Sequence, residues 1–334
     1  MTTRPIEGLK RAGWLGLCGA LLLTTRPVDL SAQSTGGRNE CCLVLLIPVG
    51  ARSVALGGTL TARSTAESVF LNPAGLAGLQ DNGFFVHHAE QEFQSTADAF
   101  SLLLKLGRVG TLGLSYELFD HGEIETTDSN NQQTGVLAWR DHLGLVSLGV
   151  NVAAGFSAGA SYKLFHSRID CSGACEGLQV ASTTNGLDVG VRYQPPFFKA
   201  LELGASVLNA PLDMGVEEAG TRDPLPTRIH LGVTYEALHQ FQEGDAISLW
   251  LSGELTDAWH SAGSPQPAFG AELGVQDIVF LRAGYVIGEG LDTGGAVGLG
   301  LHYESLTLSL GKPFSKTALD PETQPYQVSF GVRF

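Results

Sequence analysis

From Gly83 to the last residue, Phe334, apolar side chains recur at alternate positions, and no stretch after the first 32 residues is apolar for long enough to cross a bilayer as a helix. The final segment shows the alternation best. Tyr326, Val328, Phe330, Val332 and Phe334 are interleaved with Gln327, Ser329, Gly331 and Arg333. Leu187, Val189, Val191 and Tyr193 alternate in the same way with Asp188, Gly190 and Arg192, and Ile229, Leu231, Val233 and Tyr235 with His230, Gly232 and Thr234. A period of two gives each strand an apolar face and a face of small or polar residues. In a soluble sandwich the small and charged face lies outside; in a membrane barrel it lines the lumen.

The connections separate those two cases. Alternating segments fall near residues 83–90, 97–106, 110–119, 141–150, 153–168, 184–194, 201–210, 227–238, 246–257, 267–276, 279–288, 295–304, 305–314 and 325–334, fourteen in all. Every second connection is short (107–109, 151–152, 195–200, 276–278, 304–305), and most of those between are longer and polar (120–140, 169–183, 211–226, 315–324). Short turns at one end and long loops at the other are the pattern of a transmembrane antiparallel β-barrel. Tyr116, Tyr193, Tyr235, Tyr285 and Tyr303 fall near strand ends, where an interfacial girdle sits. Composition agrees: 16% of residues are charged, against about a quarter in soluble domains. A net charge of −14 and no basic cluster exclude nucleic acid as a partner.

The first 32 residues read as a signal peptide. Arg4, Lys10 and Arg11 precede an apolar run over 12–23, and Leu30-Ser31-Ala32 offers a small-residue cleavage site. Cys18 does not make this a lipoprotein signal, because the large Leu17 precedes it and the apolar run continues beyond. The expected organisation is therefore a signal peptide (1–32), an N-terminal segment with a compact hatch (33–81) and a barrel (82–334) in the bacterial outer membrane.

The segment 50–79 breaks the strand pattern. Gly50, Gly57 and Gly58 tolerate positive φ, while Ala51, Arg52 and Ser53 begin a small-residue run. Asn72 and Pro73 read as an N-cap and first helical position, followed by Ala74, with Gly75 and Gly78 limiting the helix to about one turn. A compact segment followed by strands to the end resembles the FadL-type outer-membrane barrels, which carry an Asn-Pro-Ala turn in a hatch inside the pore. Within them the chain looks most like the PorV/PorQ family. The segment G-A-R-S…L-N-P-A-G-L-A (50–77), L-P-T-R-I-H-L-G-V-T-Y (225–235), F-L-R-A-G-Y (280–285) and the terminal V-S-F-G-V-R-F (328–334) carry the likeness, in that order. The resemblance implies a non-enzymatic barrel in type IX-like protein secretion or surface attachment, with secreted cargo proteins as partners. The alternative it implies is a FadL-like channel with a hydrophobic ligand. Outer-membrane lipid and the outer-membrane assembly machinery are expected partners in both cases, and the terminal Phe334 resembles the aromatic signal that this machinery reads.

Other candidates are weaker. Gly155-Phe156-Ser157-Ala158-Gly159 has the spacing of a nucleophile elbow, yet it lies in a glycine-rich strand with no helix after it. His87 and His88 are adjacent, so on a strand they face opposite ways and cannot share a metal. The lumen-facing set comprises Asp188, Arg192, His230, Glu254, Arg282 and His302, with Glu117, Glu236 and Arg333 beside them. Its members are suited to packing a plug against the wall or to lining a selective path. Cys171 and Cys175 bracket a tight loop that a disulfide closes; Cys41 and Cys42 suggest no pairing, and no cofactor or metal set is expected. Mass spectrometry of the membrane fraction should find a mature chain that begins near Gln33; an intact 1–32 would show that the leader is not removed.

Overall fold

The computed structural model describes residues 40–91, 95–177, 179–212, 224–238, 247–259, 262–288, 293–315 and 325–334. Fourteen strands follow one another: β1 (Gly83–Glu90), β2 (Thr96–Lys105), β3 (Gly110–Thr127), β4 (Gln133–Ala153), β5 (Phe156–Gly173), β6 (Gln179–Tyr193), β7 (Leu201–Pro211), β8 (Arg228–Glu236), β9 (Ile247–Ala258), β10 (Gln266–Val275), β11 (Val279–Val286), β12 (Gly294–Tyr303), β13 (Leu306–Ser315) and β14 (Tyr326–Arg333). Each pairs antiparallel with its neighbours in sequence, and β14 returns to β1 to close the barrel. Closure leaves no unpaired edge inside a bilayer, the condition for strands to span one.

The outward residues of β2–β5 change character along the strands. Leu114, Val146, Tyr162 and Leu164 are exposed apolar side chains. Next comes a row of rings, Phe100, Tyr116, His142 and His166, with successive centroids 5.9, 6.1 and 6.1 Å apart and Tyr116 Oη 2.6 Å from His142 Nδ1. Beyond the rings stand the ion pairs Arg140–Asp120 (2.9 Å) and Arg168–Asp170 (2.8 Å). Apolar, aromatic, then charged is the order of a lipid-facing surface as it leaves the bilayer. The protein is an outer-membrane barrel, with the short turns and the end of β14 at its inner end.

Four strands are longer than the sequence pattern indicates. Residues 120–140 and 169–183 are not long loops: β3 and β4 continue to a five-residue turn at 128–132, β5 runs on to a turn at 174–177, and β6 begins at Gln179. With 18, 21, 18 and 15 residues, β3–β6 rise beyond the roughly 9–11 that a tilted membrane strand needs. The first turn is held by Asp128, whose Oδ1 accepts from the amides of Asn130 (2.8 Å) and Gln132 (2.9 Å); those bonds lower its carboxyl pKa. Cys171 and Cys175 are joined across the second, with Cα atoms 5.6 Å apart. The sequence loops 211–226 and 315–324 lie largely outside the described residues.

Because every described strand is paired, the barrel should survive detergent until it is heated. Unboiled protein is expected to migrate faster on a denaturing gel than boiled protein; equal mobility together with recovery in the soluble fraction would contradict a closed membrane barrel.

Candidate functional site

The chain reaches β1 by way of the barrel interior. At the outer end Arg228 of β8 holds Glu40 through two bonds of 2.9 and 2.7 Å, and Cys41 N donates to Pro224 O. A 3-10 turn (Leu43–Leu46), helices α1 (Ala51–Ala55) and α2 (Ser68–Leu71), and a second 3-10 helix (Pro73–Gly78) follow. Gly50, Gly57 and Gly58 take φ of 107°, 67° and 79°, so the chain turns into and out of α1 where a side chain would be strained. Asn72 caps the last helix by accepting from Ala74 N at 3.1 Å, as Pro73 fills its first position. Gly75 lies inside this helix rather than ending it, since the i+3 bonds continue to Leu79.

Residues 50–79 touch strands all around the ring. Ala51 N donates to Ser329 Oγ of β14 (2.8 Å), and Thr61 N and Oγ1 donate to Glu254 of β9 (3.3 and 2.8 Å). Arg192 Nε of β6 donates to Ala62 O (2.8 Å), Ser206 Oγ of β7 to Leu71 O (2.9 Å), and Asn151 Nδ2 of β4 to Ala77 O (3.0 Å). Asn72, with no exposed surface, spends its amide on Thr61 O (2.8 Å) and Val191 O (3.1 Å). The segment therefore fills the lumen as a plug, its backbone met by wall side chains.

Close approach depends on glycines that face inward from successive strands. Gly149 pairs with Gly159 and Gly159 with Gly190, while Gly204–Gly232, Gly270–Gly284 and Gly298–Gly311 pair farther round. A Cβ on Gly159 would sit 2.3 Å from Pro73 C, and one on Gly190 2.0 Å from Asn72 Oδ1.

The inner surface has two halves. From β5 round to β11 it carries ion pairs: Lys163–Asp188 (3.0 Å), Arg192–Glu202 (2.9 Å), His230–Glu254 (2.8 Å) and Arg282–Glu272 (2.7 Å). The plug adds Arg52, 2.7 Å from Glu272, and Arg63, which is 3.7 Å from Glu202 and lies over the Trp250 ring at 3.7 Å. From β1 to β5 the inner face carries apolar side chains beside buried polar ones such as Ser101, Ser115, Glu117, Ser147 and Ser161. Phe85, Ala99, Leu103, Leu143, Leu145 and Phe165 form a buried cluster with Val49, Val69, Phe70 and Leu76 of the plug, and Cys42, Val44, Leu45, Ala66 and Leu79 pack against it. A second cluster, Ala89, Ala97 and Phe119 with Val44 and Ile47, continues it towards the outer end.

Of the sequence candidates, Asp188 is paired with Lys163 within the wall, while Arg192, His230, Glu254 and Arg282 are thus joined in the wall-and-plug network. His302 is not: it stands at the inner rim against Arg333 and Glu304 O. Lys163, Glu202, Glu272 and Arg63, which complete the pairs, are not singled out by the sequence pattern. Their signal is only that each is a charge on the small-residue face or in the plug. Glu117 is buried on the inner face of β3, while Glu236 is half-buried near the inner end of β8. Ser157 donates to Asn151 Oδ1 (3.1 Å) within strand structure, so the elbow spacing has no helix behind it. His87 is buried with Nδ1 3.0 Å from Ser329 Oγ, whereas His88 pairs outside with Asp98 at 2.7 Å. No group of three or more potential metal ligands occurs among the described residues.

The chain forms a closed fourteen-stranded barrel with an N-terminal segment in its lumen. Solved structures agree at the level of the fold. The Ralstonia pickettii toluene transporter TbuX matches with a TM-score of 0.54 at 14% identity, over 85% of this chain and 98% of that one. A Pseudomonas aeruginosa FadL homologue gives 0.54 at 13% identity over 86% and 99%, and the Pseudomonas putida toluene transporter TodX 0.51 at 13% over 84% and 96%. A family model described as an uncharacterised protein family (UPF0164) matches residues 22–166. No curated protein sequence matches the chain.

Two substitutions test the fit of plug to wall. Asn72→Ala removes the cap, worth about 1 kcal/mol, and leaves two buried carbonyls without their donor. Gly159→Ala forces a methyl against the Pro73 backbone, and overpacking of this kind costs about 1–3 kcal/mol. Both should speed hydrogen exchange across 61–79 in the folded barrel. Gly144→Ala, where a Cβ meets nothing within 4 Å, should leave it unchanged; equal exchange in all three would show that the plug is not held at these points.

Proposed function

We propose that the protein is a non-enzymatic outer-membrane channel for hydrophobic small molecules, with residues 50–79 acting as its hatch. The observation that carries this reading is the apolar cluster that Phe85, Ala99, Leu103, Leu143, Leu145 and Phe165 of β1–β5 form with the plug. Its cover is reciprocal, from Phe119 and Phe165 near the outer end to Leu103 near the inner end, which pairs with Gly83 at the start of β1. A pore for polar solutes has a polar interior, and burying these side chains serves no such traffic. An apolar solute that slips between Leu143, Leu145 or Phe165 and the plug exchanges one apolar contact for another, so little free energy opposes its entry. Likeness in fold to two toluene transporters supports the same substrate class. The Arg52–Glu272 and Arg63–Glu202 pairs hold the plug in place while the apolar contacts part.

A second reading, a protein-secretion shuttle similar to PorV/PorQ, is favoured by one feature, the raised β3–β6 sheet at the outer rim. In that reading the sheet is where secreted cargo is held.

Reconstituted protein distinguishes them. Leu145→Glu and Phe165→Glu place a charge in the apolar face and should lower the flux of toluene into vesicles by at least about tenfold, since a carboxylate there is costly beside an apolar solute. Removing 50–79 should raise conductance to small ions. Shortening β3–β4 to residue 120 and residue 140 should leave toluene flux intact. If that shortening alone abolished binding of exported proteins, and the Glu variants passed toluene normally, the shuttle reading would stand and the channel reading would fall.

A further inference from the structure

Beyond the aromatic row β3 outruns β2, so the wall has a free margin there. The last pair between the two strands is Thr96 with Asp120, and the β1–β2 turn closes where Gln91 N donates to Ser95 O at 2.9 Å. β3 continues to Thr127, roughly 20 Å farther at about 3.4 Å per residue. After a bulge at 121–122, where Gly122 takes φ of 78°, residues 123–127 pair with β4 on one side. On the other side they pair with no described strand. Alternate residues there turn N–H and C=O groups outwards, and such a row is a template for an added strand.

The side chains of this edge belong to two faces. Ile124 lies opposite Leu137, on the same face of β4 as Trp139 and Leu143, and so on the lumen side; it is 49% exposed. Glu123 and Glu125 stand exposed on the opposite face, across from Ala138 and Val136. Arg140 feels Glu123 but is held by Asp120 at 2.9 Å. The raised sheet is acidic as a whole. Residues 120–141 and 166–185 hold seven carboxylates and two arginines, Arg140 and Arg168, each already paired with an aspartate.

We propose that residues 123–127 are a docking edge, which takes an extended basic segment of another protein as a fifth strand of the raised sheet. Main-chain bonds to β3 supply the affinity, and side chains at alternate positions supply the choice. Lysine or arginine beside Glu123 and Glu125, with an apolar residue beside Ile124 between them, is the pattern the edge reads. A second copy of this chain is a poor occupant. Its own β3 edge sets glutamate against glutamate, and the opposite margin of the sheet, residues 179–185 of β6, carries no charge. The edge lies outside the bilayer and apart from the plug, so it stands whether or not apolar solutes pass through the lumen.

The test uses full-length protein in detergent and three labelled peptides of equal length. They are Lys-Val-Lys-Val-Lys-Val-Lys, the same peptide with its central valine replaced by proline, and Glu-Val-Glu-Val-Glu-Val-Glu. The lysine peptide should bind saturably by fluorescence polarisation and slow hydrogen exchange at 123–127 but not at 179–185. The proline peptide keeps the charge but cannot complete the ladder, so it should bind at least about tenfold more weakly. Glu123→Lys with Glu125→Lys should weaken the lysine peptide about tenfold, as two cross-strand pairs turn from attraction to repulsion. The same variant should now bind the glutamate peptide. That gain, with unchanged heat-modifiable mobility, separates a changed edge from a lost fold. Equal binding of the lysine and proline peptides would reduce the edge to a diffuse acidic surface and overturn the proposal. So would protection at 179–185 alone, or a dimer of the peptide-free protein in which a second copy already protects 123–127.

Discussion

A segment with little regular structure cannot sit inside a barrel unless something meets its backbone. The helices of residues 50–79 are four to six residues long, so most of their amides and carbonyls have no partner of their own. The wall supplies those partners through Ser206, Asn151, Arg192, Ser329 and Glu254, and it does so only because the plug can come close enough. The inward glycines of β4–β8 and β10–β13 make that approach possible. At Gly149, Gly159, Gly204, Gly284 and Gly311 the plug backbone lies closer than a Cβ would allow. Glycine weakens a strand by itself. Its repeated use at paired positions indicates that plug contact outweighs strand propensity in this lumen.

The lumen divides the work between two kinds of contact that respond differently to strain. An ion pair buried between plug and wall is costly to break, about 3–5 kcal/mol when one partner is left uncompensated. Arg52–Glu272, Arg63–Glu202 and Arg192 to Ala62 O lie together on one side. Apolar contact on the β1–β5 side has no direction and is proportional to area, about 25 cal/mol per Å2. It is lost in full only if water replaces it.

Much of this architecture is written in the sequence as period-two alternation, and the centres of all fourteen strands can be read from it. What cannot be read is where β3–β6 end. Alternation reports one-sided burial, and past the aromatic row the sheet is wet on both faces. His121, Gly122, Glu123, Ile124, Glu125, Thr126 and Thr127 carry no such signal, though Glu123 still pairs with Ala138 and Thr127 with Gln133. Backbone pairing without burial looks like a polar loop in a sequence. The lumen is legible only in part for a related reason. A strand pattern tells which residues face inward, but not which strand each will meet across the plug. Asp188 and Arg192 are recognisable as inward charges; that Lys163 and Glu202 answer them depends on register. The Asn72-Pro73 cap is local chemistry and is legible, whereas the reach of Asn72 to Val191 is not.

The two-sided lumen also constrains how a hatch of this kind can open on the channel reading. Displacing the whole plug would break the Arg52–Glu272 and Arg63–Glu202 pairs together and leave both plug arginines without their carboxylates, at about 3–5 kcal/mol for each uncompensated charge. Parting only the apolar side exposes Leu143, Leu145 and Phe165, and an apolar solute in the gap restores the contact that was lost. A polar solute does not, because it leaves the same surface facing water. The cheaper motion is therefore a tilt of the plug about its ionic side, and the energy difference between the two faces is itself a filter. Selectivity for apolar cargo then needs no dedicated pocket: it follows from which half of the plug can be separated from the wall without loss.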